Sequence, residues 1–318
     1  MPLLKSFYQP PSIFRNGHFS TIYSAKMRIA PQLIQKRERL DLLDGDFIDL
    51  DWSYSDIKTE KLVILLHGLE GNAQRTYILG AANLLNKNGW DAIAVNYRGC
   101  SGEPNKLYRS YNAGTTDDLE SVIQFILQKN IYTEIALNGF SLGGNLLLKY
   151  LGEREQVHSE IKKAVAISTP LSLKGSLEAL QKTSNWVYRT SFLTDLKKKY
   201  RQKINQFPDK LSKNDLKHIK SLLDFDNIYT SKAHGFKDAY DYYKKNSSLQ
   251  FLHQIKIPVL LLNAKNDSFL SKDCYPVNLA EHSENIFLET PKYGGHVGFY
   301  AKKNVFYSEE KTLQFLNK

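Results

Sequence analysis

The stretch Gly139-Phe140-Ser141-Leu142-Gly143 has the pattern of a nucleophile elbow, in which one serine is presented at a tight turn. It follows an apolar run that predicts a strand (134–137) and precedes a run with helical character (145–153). The two flanking glycines let neighbouring backbone pass close to the turn, which holds Ser141 in a strained conformation with its hydroxyl exposed. A helix that begins directly after the turn places the Leu142 amide where it favours negative charge. We therefore predict that Ser141 is a nucleophile.

A serine hydroxyl is a weak nucleophile, so it needs a base within hydrogen-bond reach and an acid that orients the base. With this elbow the order along the chain is serine, acid, histidine. His296 follows the last predicted strand between two small or apolar neighbours, where a loop can turn it towards the elbow, and we predict that it is the base. The predicted acid is Asp267, at the end of the preceding strand, and Asp273 is its nearest competitor. Weaker competitors are Asp224, Asp226, Asp238 and Asp241.

An oxyanion hole needs two backbone amides aimed at one point. The amide of Leu142, directly after the nucleophile, is one predicted donor. The other is the amide of Leu69, because the loop His67-Gly68-Leu69 follows an apolar strand (62–66). We interpret His67 as a residue that braces this loop, since its place along the chain matches the oxyanion hole and not the base.

Strand patterns alternate with helical patterns over most of the chain, which predicts an α/β fold with a doubly wound, mostly parallel sheet. Asp44-Gly45-Asp46 between two strand-like runs predicts an antiparallel hairpin near the N-terminus. Asp46, Asp49 and Asp51 alternate along the second run, so we interpret them as the solvated face of an edge strand. The predicted strands are 37–43, 47–53, 62–66, 91–97, 134–137, 164–167, 257–262 and 285–288, and the predicted helices include 73–88, 114–129, 145–153 and 305–317.

The alternation stops between about residues 171 and 250, where the sequence is polar and compatible with helix. We predict one domain over residues 1–318, with this segment inserted as a helical cap above the carboxyl ends of the strands. From Lys182 to Lys220 the cap has eleven basic residues against three acids, a net charge of +8, most of which we expect on a solvated face. The apolar residues expected to contact the core or a substrate are Trp186, Tyr188, Phe192 and Leu193.

The composition predicts a folded protein, with 42% hydrophobic and 24% charged residues among 318. Two cysteines cannot form a disulfide framework and favour a reducing compartment, and no signal-peptide or membrane-span pattern is present, so we expect a cytoplasmic protein. The net charge of +10 permits anionic partners, and the basic cap suggests peripheral contact with anionic membrane. It lacks the interleaved aromatics and glycines of RNA-binding motifs, so we expect no nucleic-acid partner. No metal-binding or phosphate-binding motif is found, so we expect no metal and no organic cofactor.

The elbow, the loops around it and several other segments of the chain together resemble the YheT-like branch of the α/β-hydrolases. This branch contains bacterial hydrolases and related eukaryotic abhydrolase-domain proteins. The matching segments are Asn16-Gly17-His18 with Thr21, Asp44-Gly45-Asp46-Phe47 with Asp51-Trp52, His67–Gly71, Asn96–Asn105, Arg109-Ser110-Tyr111, Gly114, Thr116-Asp117-Asp118, Gly139–Asn145 and Gly294–Phe299. Among them Arg98-Gly99-Cys100-Ser101-Gly102 is much more specific than the elbow. The resemblance covers the chain nearly from end to end.

The resemblance implies a Ser141–Asp267–His296 triad and esterase or lipase-like activity on acyl esters, small-molecule or lipid. Two departures from the family pattern stand out: Asn266-Asp267-Ser268 replaces the usual Asp-Asp-Pro, and Ser20 stands where relatives have glutamine. From the residues we predict a serine carboxylester hydrolase. An acyltransferase with the same triad and a catalytically idle hydrolase fold that binds a ligand or partner remain alternatives.

Overall fold

A nine-stranded sheet forms the centre of the computed structural model, which describes residues 3–302 and 304–318. Met1, Pro2 and Lys303, which the predicted single domain includes, lie outside the described residues. The strands are β1 (Leu3–Leu4), β2 (Lys36–Asp41), β3 (Phe47–Ser53), β4 (Lys61–Leu66), β5 (Asp91–Asn96), β6 (Glu134–Phe140), β7 (Ile161–Ile167), β8 (Val259–Leu262), β9 (Ile286–Glu289), β10 (Tyr300–Lys302) and β11 (Val305–Phe306). The order across the sheet is β1-β9-β8-β7-β6-β4-β5-β3-β2, and β10 and β11 form a separate small hairpin.

Within the nine-stranded sheet, all pairings from β1 across to β5 are parallel, and β3 and β2 run antiparallel to their neighbours. The prediction of a mostly parallel sheet with an antiparallel N-terminal hairpin is therefore confirmed. Its central strands are buried on both faces because alternate side chains enter opposite layers. In β4, Leu62, Ile64 and Leu66 pack into one core, and Val63 and Leu65 pack into the other.

Helices cover both faces of the sheet. Helices α2 and α12 pack on one face, where Ile78, Leu85 and Phe315 are buried, and α3 and α4 pack on the other, where Val122 and Leu147 are buried. Among the helices of the described residues, none is long and apolar enough to cross a membrane. The α-helices are α1 (Gly17–Ile22), α2 (Thr76–Asn86), α3 (Thr116–Leu127), α4 (Leu142–Glu153), α5 (Leu173–Gln181), α6 (Trp186–Gln206), α7 (Lys213–His218), α8 (Leu222–Phe225), α9 (Ser231–His234), α10 (Ala239–Asn246), α11 (Val277–His282) and α12 (Tyr307–Leu316).

The segment between β7 and β8 is helical and contains α5 to α10, as the sequence predicts. Its longest helix, α6, packs against the same core as α3 and α4 through Leu196 and Tyr200. The expected apolar contacts divide: Phe192 and Leu193 pack against this core and Tyr188 contacts Phe269, but Trp186 is 58% exposed. The expectation that Trp186 contacts the core or a substrate was wrong, because this first residue of α6 lies mostly in solvent and lines neither the core nor the cavity described below.

The interpretation of the alternating aspartates as a solvated edge was also wrong. Strand β3 is fully buried, because β2 covers it and forms the sheet edge in its place. The antiparallel register sets Arg39 opposite Asp49 and Arg37 opposite Asp51, and each arginine holds its carboxylate with two hydrogen bonds. In such a bidentate pair, the two guanidinium N–H groups donate to the two carboxylate oxygens and replace the hydrogen bonds that water would make to an exposed carboxylate.

Candidate active site

Ser141 lies at a sharp turn between β6 and α4, with φ of 53° and ψ of −120°. The region of positive φ is unfavourable for a residue with a side chain, so the surrounding structure holds the turn. A methyl group on Gly139 would lie 2.4 Å from the Gly143 carbonyl oxygen, and one on Gly143 would lie 2.3 Å from the Leu66 carbonyl oxygen. Both glycines are therefore needed for backbone to pass this closely, in agreement with the steric interpretation of the sequence.

His296 lies within hydrogen-bond distance of both of its predicted partners. Its Nε2 is 2.9 Å from Ser141 Oγ, and its Nδ1 is 2.8 Å from Asp267 Oδ2. The Asp267 side chain is fully buried, and its other oxygen accepts a hydrogen bond from the Phe269 amide at 2.9 Å. The Phe269 ring stacks on the imidazole with 4.2 Å between ring centroids. The structure thus brings together three side chains that lie 126 and 29 residues apart along the chain.

The loop that carries His296 is held by the N-terminal helix α1. The His296 amide donates to Thr21 Oγ1 at 2.8 Å, and that hydroxyl donates to the Gly17 carbonyl at 2.8 Å. A methyl group on Gly295, whose φ is +57°, would lie 2.3 Å from the same Gly17 carbonyl oxygen. After the histidine, the Val297 carbonyl accepts from Ser24 Oγ at 2.7 Å. The first turns of the chain therefore fix the position of the imidazole.

The loop that carries Asp267, called the acid loop below, contains one of the two departures from the family pattern, at the residues on either side of the aspartate. Asn266 donates through Nδ2 to the Arg15 carbonyl at 3.0 Å and accepts from the Gly295 amide at 2.9 Å. Ser268 donates to Asn185 Oδ1 at 2.7 Å, and Asn185 Nδ2 donates back to the Ser268 carbonyl at 2.8 Å. Asn185 directly precedes α6, so Ser268 connects the acid loop to the cap. A proline at position 268 could not donate this hydrogen bond, because its side chain has no donor.

The two predicted oxyanion donors lie on the wall of one cavity beside Ser141. The backbone amides of the two residues next to Leu69 already have acceptors. The Gly68 amide donates to Tyr77 Oη at 3.1 Å, and the Glu70 amide donates to Tyr111 Oη at 2.8 Å. Within residues 3–302 and 304–318, neither the Leu69 nor the Leu142 amide donates to a protein acceptor. Both donors are therefore available to a bound group.

The cavity beside Ser141 has a volume of about 1290 Å³, including its open mouth. Its floor is formed by the loops after β4, β5 and β6, and its roof by α5, α6 and the helices that follow. Apolar side chains dominate the wall, among them Leu142, Leu177, Leu196, Phe225 and Phe269. Such a site buries an apolar ligand and leaves a small number of polar groups to orient it.

The competing candidates occupy other places. Asp273 is exposed on a short 3₁₀ turn, and Asp226 is partly buried beside Tyr243 and Thr230, which donate to its carboxylate. Burial lowers the pKa of His67 to about 3, so this imidazole is neutral at ordinary pH. Its Nδ1 lies 2.8 Å from the Gly68 carbonyl, which fits a residue that braces the loop.

Three parts of this site are absent from the sequence prediction. They are the clamp of α1 on the His296 loop, the stacking of Phe269 on the imidazole, and two inward-facing cap lysines, Lys199 and Lys203. The segment Asn16-Gly17-His18 with Thr21 was a signal for the clamp, since Asn16 caps α1 and an N-capping asparagine predicts a helix start. Nothing in the sequence shows that this helix lies against residues 294–298.

Over the described residues, no group of three or more histidine, cysteine, aspartate and glutamate side chains is placed to hold a metal ion.

The chain matches the family model described as alpha/beta hydrolase fold over residues 61–303. It is 32% identical to the protein named "Putative esterase YheT" of Escherichia coli (strain K12), over 90% of this chain and 85% of that protein. It is 29% identical to the protein named phospholipase ABHD3 of Homo sapiens, over 94% of this chain and 75% of that protein. The similarity therefore extends over both the sheet and the helical insertion.

A similar fold is found in the solved structure of the esterase Pf2001 of Pyrococcus furiosus. The TM-score is 0.62 at 17% sequence identity, and the match covers 91% of this chain and 97% of that one. At this identity the likeness concerns the fold alone.

Proposed function

Because the chain belongs to the alpha/beta hydrolase family, we propose that it is a serine carboxylester hydrolase that works through an acyl-enzyme on Ser141. The observation that carries the proposal is the pair of contacts of His296, 2.9 Å to the Ser141 hydroxyl and 2.8 Å to the Asp267 carboxylate. A base that reaches the nucleophile with one nitrogen and a buried acid with the other has the arrangement that acyl transfer requires.

In this mechanism Ser141 Oγ attacks the ester carbonyl while His296 Nε2 takes the hydroxyl proton. Asp267 accepts a hydrogen bond from Nδ1 and stabilises the imidazolium that forms. The amides of Leu69 and Leu142 donate to the oxyanion of the tetrahedral intermediate. His296 then returns the proton to the leaving alcohol, and a water molecule, activated by the same imidazole, hydrolyses the acyl-enzyme. These residues supply the nucleophile, the base and the oxyanion donors, so the mechanism uses no metal or organic cofactor.

The proposed substrates are esters with an apolar acyl chain, of a small molecule or a lipid. The apolar wall of the cavity supports this class, since it buries hydrocarbon more readily than a polar chain. The name of one relative, phospholipase ABHD3, points in the same direction. In this proposal residues 1–318 form a single domain, and the insertion of about 171–250 is the cap that sizes the cavity.

The test is hydrolysis of p-nitrophenyl esters from acetate to palmitate by the wild type and by Ser141→Ala. We expect activity in the wild type and a loss on the order of 10⁴-fold or more in the variant, as for other triads that lose the nucleophile. The chain-length optimum measures the depth of the cavity. A variant that keeps wild-type turnover would exclude Ser141 as the nucleophile.

Two alternatives have distinct outcomes in the same assay. An acyltransferase would transfer the acyl group to added glycerol or another alcohol, so that total ester turnover rises and a new ester accumulates. A catalytically idle binding protein would hydrolyse no ester and would also fail to react with a fluorophosphonate. Labelling at Ser141 without hydrolysis would instead show that the nucleophile is active and that the substrate class is wrong.

We also propose that the protein functions in the cytoplasm and contacts anionic lipid surfaces through its cap. Both cysteines are unpaired and buried, which fits a reducing compartment. Four lysines of the cap are exposed around α7 and can approach a charged surface, and each adds about 1 kcal/mol of attraction near an anionic bilayer. These are Lys210, Lys213, Lys217 and Lys220. Equal sedimentation with neutral and anionic vesicles would contradict this contact.

A further inference from the structure

One cap side chain reaches the loop that carries a proposed oxyanion donor. Lys199, on α6, places its Nζ 3.0 Å from Glu70 Oε1 and 3.1 Å from Cys100 Sγ. Glu70 directly follows Leu69 in the loop after β4, and its side chain is 5% exposed. Burial raises the pKa of the Cys100 thiol to about 11, so the sulfur is uncharged and the ammonium has Glu70 as its charged partner in this contact.

The amide, the carbonyl and one carboxylate oxygen of Glu70 all take part in hydrogen bonds. Tyr111 Oη donates to Glu70 Oε1 at 2.6 Å and accepts from the Glu70 amide at 2.8 Å. The Glu70 carbonyl accepts from Arg75 at 2.5 Å. These contacts fix a residue whose φ is +53°, in a region that costs energy for any residue with a side chain. A carboxylate that loses its cation here keeps the hydrogen bond from Tyr111 but is left buried without a charged partner, which disfavours this conformation of the loop.

The orientation of the Leu69 amide follows from the residues beside it. Gly68 is fixed by Tyr77 and Glu70 by Tyr111 and Lys199, so the peptide between them has little freedom. An oxyanion donor must be preorganised to stabilise the transition state, because reorientation during the reaction would cost part of the gain.

We propose that Lys199 is a positioning residue for the reaction, which acts through Glu70 to hold the Leu69 amide in the oxyanion hole. The inference rests on the proposed function, in which Leu69 supplies one of the two donors. It makes the oxyanion hole depend on the seating of α6, a helix of the cap. Since Lys199 also lines the cavity, the rival interpretation is that its ammonium contacts the substrate directly.

The test compares kcat and KM of the wild type with those of Lys199→Met on a neutral p-nitrophenyl ester. Removal of a whole oxyanion donor costs about 10²–10³-fold in kcat, so a misplaced donor is expected to lower kcat by about 10–100-fold, with KM within about 3-fold. Inhibition by a trifluoromethyl ketone, which forms a tetrahedral oxyanion on the serine, should weaken by a similar factor. Lys245→Met, which removes an exposed cap ion pair with Asp241, serves as the control and should leave both constants unchanged.

A double-mutant cycle tests whether the effect passes through Glu70. In the Glu70→Gln background, Lys199→Met should lower kcat by no more than about 2-fold further, because the charge on which Lys199 acts is already gone. Full additivity, an unchanged kcat in Lys199→Met, or a rise in KM alone would overturn the proposal. If Lys199→Met does not fold, Lys199→Gln, which retains a donor without the charge, is measured in the same way. An inactive wild type would contradict the proposed function, whereas an active wild type with an unaffected variant contradicts this inference alone.

Discussion

Asn266 and Gly295 are joined by a hydrogen bond of 2.9 Å from the Gly295 amide to the side-chain oxygen of Asn266. Asn266 directly precedes the proposed acid, Asp267, and Gly295 directly precedes the proposed base, His296. This contact sets the distance between the two loops independently of the contact between Asp267 and His296. The same side chain donates to the Arg15 carbonyl, so a third segment is fixed at this point. The carboxamide is suited to this position because it has both an acceptor and a donor.

Asn266→Ala removes both hydrogen bonds and leaves the Gly295 amide without its acceptor. We expect kcat to fall about 10-fold, because the imidazole and the carboxylate are no longer held at a fixed separation. Asn266→Asp, which restores the residue typical of the family, keeps the acceptor and should retain kcat within about 3-fold. Steady-state kinetics of both variants on one ester checks this, and equal losses in the two would show that the acceptor is not what matters.

Asp267→Asn should lower kcat on the order of 10³–10⁴-fold with little change in KM, because an amide does not stabilise the imidazolium and favours the wrong tautomer of His296. Asp273→Asn is the matched control, since Asp273 is exposed on the following turn and should be dispensable. If the Asp273 variant lost the activity and the Asp267 variant kept it, the assignment of the acid would be reversed.

Gly143→Ala would place a methyl group 2.3 Å from the Leu66 carbonyl oxygen, which is backbone and cannot rotate away. We expect a loss of about 2–4 kcal/mol in the free energy of unfolding and at least about 10²-fold in kcat, since the elbow must shift. Gly235→Ala is the control: its φ is positive, at +72°, but apart from its two chain neighbours no residue lies within 4 Å of the new methyl group. That variant should lose about 1 kcal/mol from backbone strain alone and keep its activity. Denaturant unfolding and ester hydrolysis of both variants distinguish a clash from strain.

Burial raises the pKa of Asp226 to about 6 from an ordinary value of 3.8. The folded state therefore holds the proton more tightly than the unfolded chain, and stability falls as the pH rises from about 4 through 6. Asp226→Asn lacks this loss, so its free energy of unfolding relative to the wild type should increase by about 2 kcal/mol between pH 4 and pH 7.5. Urea unfolding at both pH values measures the change, and a difference that does not vary with pH would contradict it.

The sequence was sufficient for those parts of the molecule that follow from local patterns. The buried strands read directly as apolar runs, and the elbow has a steric requirement that glycine alone satisfies, as Gly139 and Gly143 show. The predicted partners Ser141, Asp267 and His296 come together because the carboxyl ends of parallel strands meet at one edge of the sheet.

The remainder depends on contacts between distant segments, which a local pattern does not contain. Strand β2 pairs with β3 and thereby buries the aspartates of β3. In the sequence, the alternation of these aspartates is the same as that of an exposed edge strand. The clamp of Thr21 on His296 joins residues 275 positions apart, and the contact of Lys199 with Glu70 joins residues 129 apart. The net charge of +8 in the cap likewise gave no indication that two of its lysines, Lys199 and Lys203, line the cavity.

The clamp of α1 on the His296 loop also bears on when the protein becomes competent during its synthesis. The elbow serine leaves the ribosome more than 150 residues before the histidine that contacts it. Thr21, which holds this histidine, is translated 275 residues before it and stays without this partner until His296 has been made. Domains form as units while they emerge, and such long-range contacts close late. A partly synthesised chain can therefore present the elbow serine without its proposed partners, and under the proposed mechanism it cannot hydrolyse an ester until Asp267 and His296 have both been made.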